Sequence, residues 1–208
     1  MGLNKTWKEI GMSGRHSALL LHGYSGNGSS ILPLASEIFG TEWTVEAPDA
    51  PYALASESSR GWWRRVGEPA EMLDDEQLLE AEFSIQMLSE QVNKAQYVVV
   101  GGFSQGAATA LAVVSRVAEH RPIDLLFMSG RSPWRREDLE ESLADVTPAR
   151  ALISHGRDDE RIPFNEAEMV IDVLLSRGWS VSTSISDHGH RITGPQRQSI
   201  KEWIAEIV

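Results

Sequence analysis

Short apolar runs alternate with longer segments of helical periodicity along nearly the whole chain. Residues 17–21 (SALLL), 43–46, 97–100 (YVVV), 125–128 (LLFM), 151–154 (ALIS) and 179–185 read as strands. Several are apolar without interruption, as strands buried on both faces of a parallel sheet must be. Between them, Leu78, Ala81, Ile85, Leu88 and Val92 recur at helical spacing, and residues 105–119 and 165–177 supply two more helices. Ile200, Trp203, Ile204 and Ile207 follow Pro195, which suits a first helical turn. Strand, helix, strand repeated in this order implies right-handed crossovers. The expected fold is therefore α/β, a doubly wound, mostly parallel sheet with helices on both faces. At 208 residues a single domain spanning 1–208 is expected.

Residues 48–71 follow no regular period, and a structureless stretch of that length in a compact domain usually serves as a lid or binding loop. In an open α/β sheet, ligands bind where loops leave the carboxyl ends of the strands, so chemistry is sought there. Composition narrows which chemistry. The 19 Lys and Arg against 30 Asp and Glu give a net charge of −11, which argues against nucleic acid as a partner. The chain has no cysteine, which removes disulfides, thiolate metal sites and a cysteine nucleophile together. Residues 1–10 lack the apolar stretch of a secretory signal and no run approaches a membrane span. A soluble, cytoplasmic protein without stable membrane insertion is the expectation.

The most informative segment is YVVVGGFSQG, residues 97–106, where Gly102-Phe103-Ser104-Gln105-Gly106 follows an apolar strand and opens an Ala-rich helix. A Gly-x-Ser-x-Gly sequence in that setting is a nucleophile elbow: a sharp turn holds the serine strained while glycines let neighbouring chain approach. A serine hydroxyl needs a histidine base oriented by a carboxylate, and with such an elbow the chain order is Ser, acid, His. Four histidines lie beyond Ser104. His120 sits at a helix end, and His155 precedes the acid candidates. His188 and His190 remain, directly after the last strand. For the acid, the end of the preceding strand offers both Asp158 and Asp159, which position alone does not separate.

These motifs resemble the phospholipase/carboxylesterase branch of the α/β-hydrolases, which includes acyl-protein thioesterases. The likeness extends from Ala18 onward. It rests on Leu20-Leu21-His22-Gly23, Pro48-Asp49-Ala50-Pro51, Phe103-Ser104-Gln105-Gly106, Ser129-Gly130, the segment His155-Gly156-Arg157-Asp158-Asp159-Glu160-Arg161-Ile162-Pro163, and Gly189-His190-Arg191-Ile192. The resemblance selects Asp159 over Asp158 and His190 over His188. It implies an α/β-hydrolase fold with a short lid-like loop segment. It also implies an oxyanion hole from two backbone N–H groups, that of Gln105 and one from the loop after the first strand, best assigned to Tyr24. The chain departs from the family pattern at Ala107, where a further Gly is common. It departs again at Gly61-Trp62-Trp63-Arg64-Arg65, which stands where many members carry a Trp-Phe-Asp-like segment.

Two other chemistries fit the sequence less well. Gly23-Tyr24-Ser25-Gly26-Asn27-Gly28 follows a strand but lacks the spacing of a dinucleotide turn. A metal held by His155, Asp158, Asp159, His188 and His190 is unnecessary once Asp159 and His190 serve the serine, with His155 ordering its loop and His188 an exposed neighbour. No metal and no cofactor are expected.

Of the adjacent Trp62 and Trp63, at least one is expected to line the pocket, because neighbouring side chains diverge. Fifteen of the 19 basic residues are arginine, and nine fall in loops at the carboxyl ends of strands: Arg60, Arg64, Arg65, Arg131, Arg135, Arg136, Arg157, Arg161 and Arg191. They suggest a cationic rim suited to an ester bearing phosphate or carboxylate, such as a lysophospholipid. The competing reading is local pairing with Glu68, Asp138 or Glu160. The expected protein is a serine esterase or thioesterase acting through an acyl-enzyme on a small-molecule ester or thioester, with Trp62, Trp63 and Arg64 as substrate contacts. A homodimer is left open. The alternative is a ligand-binding or receptor-like protein on a hydrolase scaffold with little turnover.

Overall fold

The computed structural model describes residues 7–10, 15–56, 58–65, 67, 71–95, 97–118 and 121–207. His120 and Glu68 lie outside these. The strands are β1 (Trp7–Ile10), β2 (His16–Leu21), β3 (Trp43–Pro48), β4 (Tyr52–Ala53), β5 (Arg60–Gly61), β6 (Val99–Phe103), β7 (Asp124–Met128), β8 (Arg150–Gly156) and β9 (Ser180–Ser186). The helices are α1 (Gly28–Ile38), α2 (Asp75–Ala95), α3 (Gln105–Val117), α4 (Arg136–Ser142), α5 (Phe164–Ser176) and α6 (Gly194–Ala205).

Seven strands form one sheet in the order β1-β3-β2-β6-β7-β8-β9, parallel except where β1 runs antiparallel to β3. The chain winds outward from β2 to β3, then crosses back over to β6. Loops after β2 and β6 therefore part in opposite directions, which opens a crevice at the carboxyl edge. The apolar runs alternate between two cores. Leu19, Leu21, Leu125, Phe127, Ala151 and Ile153 join α2, α3, α4 and α5 on one face. Ala18, Leu20, Val45, Leu126, Met128 and Leu152 join α1 and α6 on the other. The doubly wound sheet read from the sequence is thus the one formed.

The sequence reading lacked β1, α1, α4 and the β4–β5 ribbon. Helix α1 contains Pro33 and starts in Gly and Ser, so its composition reads as a turn. It forms because Asn27 accepts from the Ser30 amide while Ser30 accepts from the Asn27 amide, a reciprocal cap. Asp49 adds an acceptor for the Gly28 amide at 2.8 Å, tying the helix start to the end of β3. The described residues of the irregular segment are mostly without regular structure, as expected, with β4 and β5 pairing among them. No helix among the described residues is long and apolar enough to cross a membrane.

Candidate active site

Ser104 is the single residue between β6 and α3, at φ 56° and ψ −118°. A positive φ is costly for a residue with a Cβ, and here it is held by hydrogen bonding and packing. The Ser104 amide donates to the Met128 carbonyl at 2.9 Å. The turn is tight enough that a Cβ on Gly102 would lie 2.4 Å from the Gly106 backbone, and one on Gly106 would lie 2.3 Å from the Leu21 carbonyl oxygen. Both glycines of the motif are therefore required by contact with backbone. Behind them, α3 is buried on every side except at Arg116.

The structure brings Ser104, His190 and Asp159 into one hydrogen-bonded line. His190 Nε2 lies 2.9 Å from Ser104 Oγ, and its Nδ1 lies 2.7 Å from Asp159 Oδ2. The carboxylate side chain is fully buried, and its other oxygen accepts from the Arg161 and Ile162 amides, both at 2.9 Å. An acceptor-only carboxylate opposite Nδ1 makes that nitrogen the N–H, which leaves Nε2 to accept the serine proton. The Phe103 ring packs against the imidazole at 5.0 Å.

The alternatives at both positions are placed elsewhere. Asp158 is exposed, and its amide donates to the His188 carbonyl. His188 is buried, a correction to its expected exposure, because it packs on Gly156 so closely that a Cβ there would meet its carbonyl oxygen at 2.0 Å. Its Nδ1 faces the Gly189 carbonyl at 2.6 Å. His155 orders the acid loop: its Nε2 lies 2.9 Å from the Ile162 carbonyl and 3.5 Å from Asp159 Oδ2. Burial pushes its basicity below the ordinary imidazole value. Among the described residues, no group of three or more His, Asp or Glu side chains could hold a metal ion.

The two oxyanion candidates flank the serine. Gln105 follows it, and Tyr24 follows Gly23, where a Cβ would lie 3.4 Å from the Ser104 Cβ. The peptide joining Gly23 to Tyr24 is pinned from its carbonyl side, which accepts from the Gly26 amide at 3.0 Å and faces His22 Nδ1 at 2.8 Å. His22 Nε2 accepts from the Ala50 amide at 3.1 Å, so Nδ1 carries the proton and donates. With its C=O fixed, a planar trans peptide has its N–H fixed on the opposite side.

The three expected substrate contacts separate. Trp63 lines a partly open cavity beside Ser104, with Tyr24, Arg65, Glu71, Leu73, Gln77, Ala108, Arg131 and Ile162. Trp62 does not: its indole is fully buried and donates to the His22 carbonyl at 2.9 Å, so it supports the loop that carries Gly23 and Tyr24. Arg64 also lies outside the cavity wall. Its guanidinium is held by Glu80 of α2, with Nε to Oε1 at 2.7 Å, and its amide donates to the other carboxylate oxygen. A long-range partner on α2 was invisible to a reading of local sequence.

Several of the nine arginines are engaged by local partners, as the competing reading expected. Arg136 pairs with Asp172 and Glu140, Arg157 approaches Asp187, and Arg60 donates to the Pro51 carbonyl. Arg65 and Arg131 are the two of the nine that line the cavity with Ser104. Arg131 is 5% exposed, and burial lowers its basicity from the ordinary guanidinium value. Ala108 and Ile162 were missed as wall residues, although Ala108 lies one helical turn beyond Ser104, on the same side of α3. Across His190, an open groove of about 380 Å³ is lined by Ile31, Leu34, Phe103, Arg191, Ile192 and Arg197.

A family model described as Phospholipase/Carboxylesterase matches residues 14–208. Acyl-protein thioesterase 1 homolog 1 of Dictyostelium discoideum is 28% identical over 127 residues, which cover 61% of this chain and 53% of that protein. The match thus spans about half the length of that relative. The crystal structure of esterase PE8 superposes with a TM-score of 0.82 at 21% identity, over 99% of this chain and all of that one. The Bacillus cereus carboxylesterase superposes at 0.76, also at 21% identity, over 99% of this chain and 96% of the other. These similarities place the α/β-hydrolase fold on independent ground.

Proposed function

Because the chain belongs to the phospholipase/carboxylesterase family, we propose that it is a serine hydrolase of carboxylic esters or thioesters working through an acyl-enzyme. The observation that carries this reading is the unbroken line from Ser104 Oγ through His190 to Asp159. Ser104 Oγ attacks the acyl carbonyl carbon as its proton passes to His190 Nε2. The oxyanion is held by the Tyr24 and Gln105 amides, and Asp159 stabilises the imidazolium without taking its proton. Collapse breaks the bond to the leaving group, which departs with the proton from Nε2. Water then repeats the sequence on the acyl-enzyme, and the free acid leaves with Ser104 restored. No cofactor enters these steps.

Two arginines, Arg65 and Arg131, stand with one carboxylate, Glu71, in the cavity wall, and this cationic excess supports a substrate bearing an anionic group, phosphate or carboxylate. Two measurements test the reading. A fluorophosphonate is expected to label the wild-type protein and not Ser104→Ala, with hydrolysis of a p-nitrophenyl ester lost in parallel. Ligand binding without turnover or labelling would instead establish the receptor-like alternative. Matched neutral and anionic esters compared across salt concentration test the charge preference, and equal kcat/KM at low salt would remove it.

A further inference from the structure

The proton path decides where a leaving group goes. His190 Nε2 takes the serine proton and hands one to the departing oxygen or sulfur, so that atom comes within hydrogen-bond reach of Nε2. Whatever the atom carries then passes His190 on its way out. Of the two hollows beside the triad, His190 lines the open groove and not the cavity that holds Ser104.

The groove has an apolar side and a cationic one. Ile31 and Leu34, three residues apart on α1, join Phe103 and Ile192 in one apolar cluster. Arg191 and Arg197 also line it, and none of the described residues in its wall is a carboxylate. The cavity at Ser104 differs, since Glu71 stands among its arginines.

The two groove arginines are not equivalent. Arg197 is committed: its Nε donates to Glu37 Oε1 at 2.9 Å and its Nη1 to the Ile192 carbonyl at 3.1 Å, which braces α6 against α1. Arg191 is exposed, and its guanidinium has no hydrogen bond or ion pair among the described residues. Its backbone N–H donates to the Gly189 carbonyl at 2.8 Å, which roots the side chain in the turn that carries His190. A free guanidinium one residue from the general acid, beside an apolar wall, is placed to receive an anion carried by the departing group.

Resting on the serine-hydrolase reading above, we propose that the alcohol or thiol released by this protein has an apolar body and an anionic end, and that Arg191 selects for that end. The body lies along Leu34, Phe103 and Ile192, and the phosphate or carboxylate meets Arg191. This preference belongs to the leaving group and is separate from any that Arg65 and Arg131 exert in the cavity at Ser104. The chain as a whole, at −11, repels such a substrate, so the preference depends on a local, short-ranged cation.

Two pairs of esters at low ionic strength test it. In the first, p-nitrophenyl butyrate is compared with the same ester carrying a carboxylate on the nitrophenyl ring, so charge changes on the leaving group alone. In the second, it is compared with p-nitrophenyl hemisuccinate, so charge changes on the acyl group alone. The ratio of kcat/KM, anionic over neutral, cancels any effect of a substitution on His190 itself. For the first pair that ratio is expected to fall about three- to fivefold in Arg191→Gln and further in Arg191→Glu, while the second ratio moves less than about twofold, as befits one exposed charge pair. An unchanged first ratio in both variants overturns the inference, and so does an equal fall in both ratios. Because the Arg191 side chain is exposed and has no hydrogen bond or ion pair among the described residues, both variants are expected to fold. Fluorophosphonate labelling separates the two readings: a labelled enzyme whose first ratio ignores Arg191 removes only the leaving-group inference, whereas absence of both labelling and turnover removes both.

Discussion

The carboxamide of Gln105 is bonded to the backbone of Trp62, whose amide donates to Oε1 at 2.8 Å, while Nε2 donates to the next carbonyl, that of Trp63, at 2.9 Å. One side chain thus fastens the irregular segment to the residue following Ser104. Its backbone N–H is the proposed oxyanion donor, so the two halves of Gln105 serve different ends. Gln105→Ala keeps the N–H but leaves the buried Trp62 amide without its acceptor, at a cost of about 1–3 kcal/mol. Urea unfolding is expected to show that loss, and kcat/KM on a p-nitrophenyl ester is expected to fall because the segment carrying Trp62 and Trp63 is no longer held to Gln105. A variant with unchanged stability and unchanged kcat/KM would show that the clamp does not position the site.

Ser104 adopts a backbone conformation that glycine reaches without the Cβ penalty that serine and alanine both carry. Both Ser104→Ala and Ser104→Gly are expected to abolish labelling and turnover. They should differ in stability, with the glycine variant more stable by about 1–2 kcal/mol because the strain at φ 56° is relieved. Thermal denaturation of the two inactive proteins, side by side, measures that strain without interference from activity.

Much of this arrangement was legible in the sequence because its signals are local. The elbow occupies five consecutive residues, and the strand and helix flanking it are continuous apolar and Ala-rich runs. Chain order then limited the base to His188 or His190, but only the family pattern chose between them. The physical distinction is that His188 fills the space left by Gly156, a contact between two strand-end loops. What local sequence hid was pairing at a distance. Arg64 meets Glu80 across 16 residues of chain, and Trp62 meets the His22 carbonyl across 40. Adjacent tryptophans announce that one turns inward, but not which. An arginine-rich set of loops announces charge, but not the carboxylates that neutralise it.

The Arg64 assignment is open to a direct measurement. Since its guanidinium is committed to Glu80 and it lies outside the cavity wall, Arg64→Ala is expected to change kcat/KM on neutral and anionic esters alike by less than about threefold. Arg131→Met is expected to lower kcat/KM on anionic esters selectively, because that guanidinium borders the cavity beside Ser104. A larger selective loss at Arg64 would return the anion site to the outer loop.

Acid stability offers the remaining test, through His155. Burial lowers its basicity chiefly by desolvation, against the Ile162 carbonyl and Asp159, which favour the proton, while His190 and His188 add further repulsion. The folded protein therefore holds His155 neutral where the unfolded chain would protonate it. Above the ordinary histidine value of 6.5 both states are neutral and this group adds no pH dependence. As the pH falls below that value the unfolded state gains a proton first, so stability declines until the folded-state value is also passed. The slope from one such group approaches about 1.4 kcal/mol per pH unit. His155→Gln keeps a donor for the Ile162 carbonyl but cannot titrate. Urea midpoints from pH 7 to pH 5 are expected to fall more steeply in the wild type than in this variant. Parallel slopes would assign the acid sensitivity to another group and leave His155 as a donor alone.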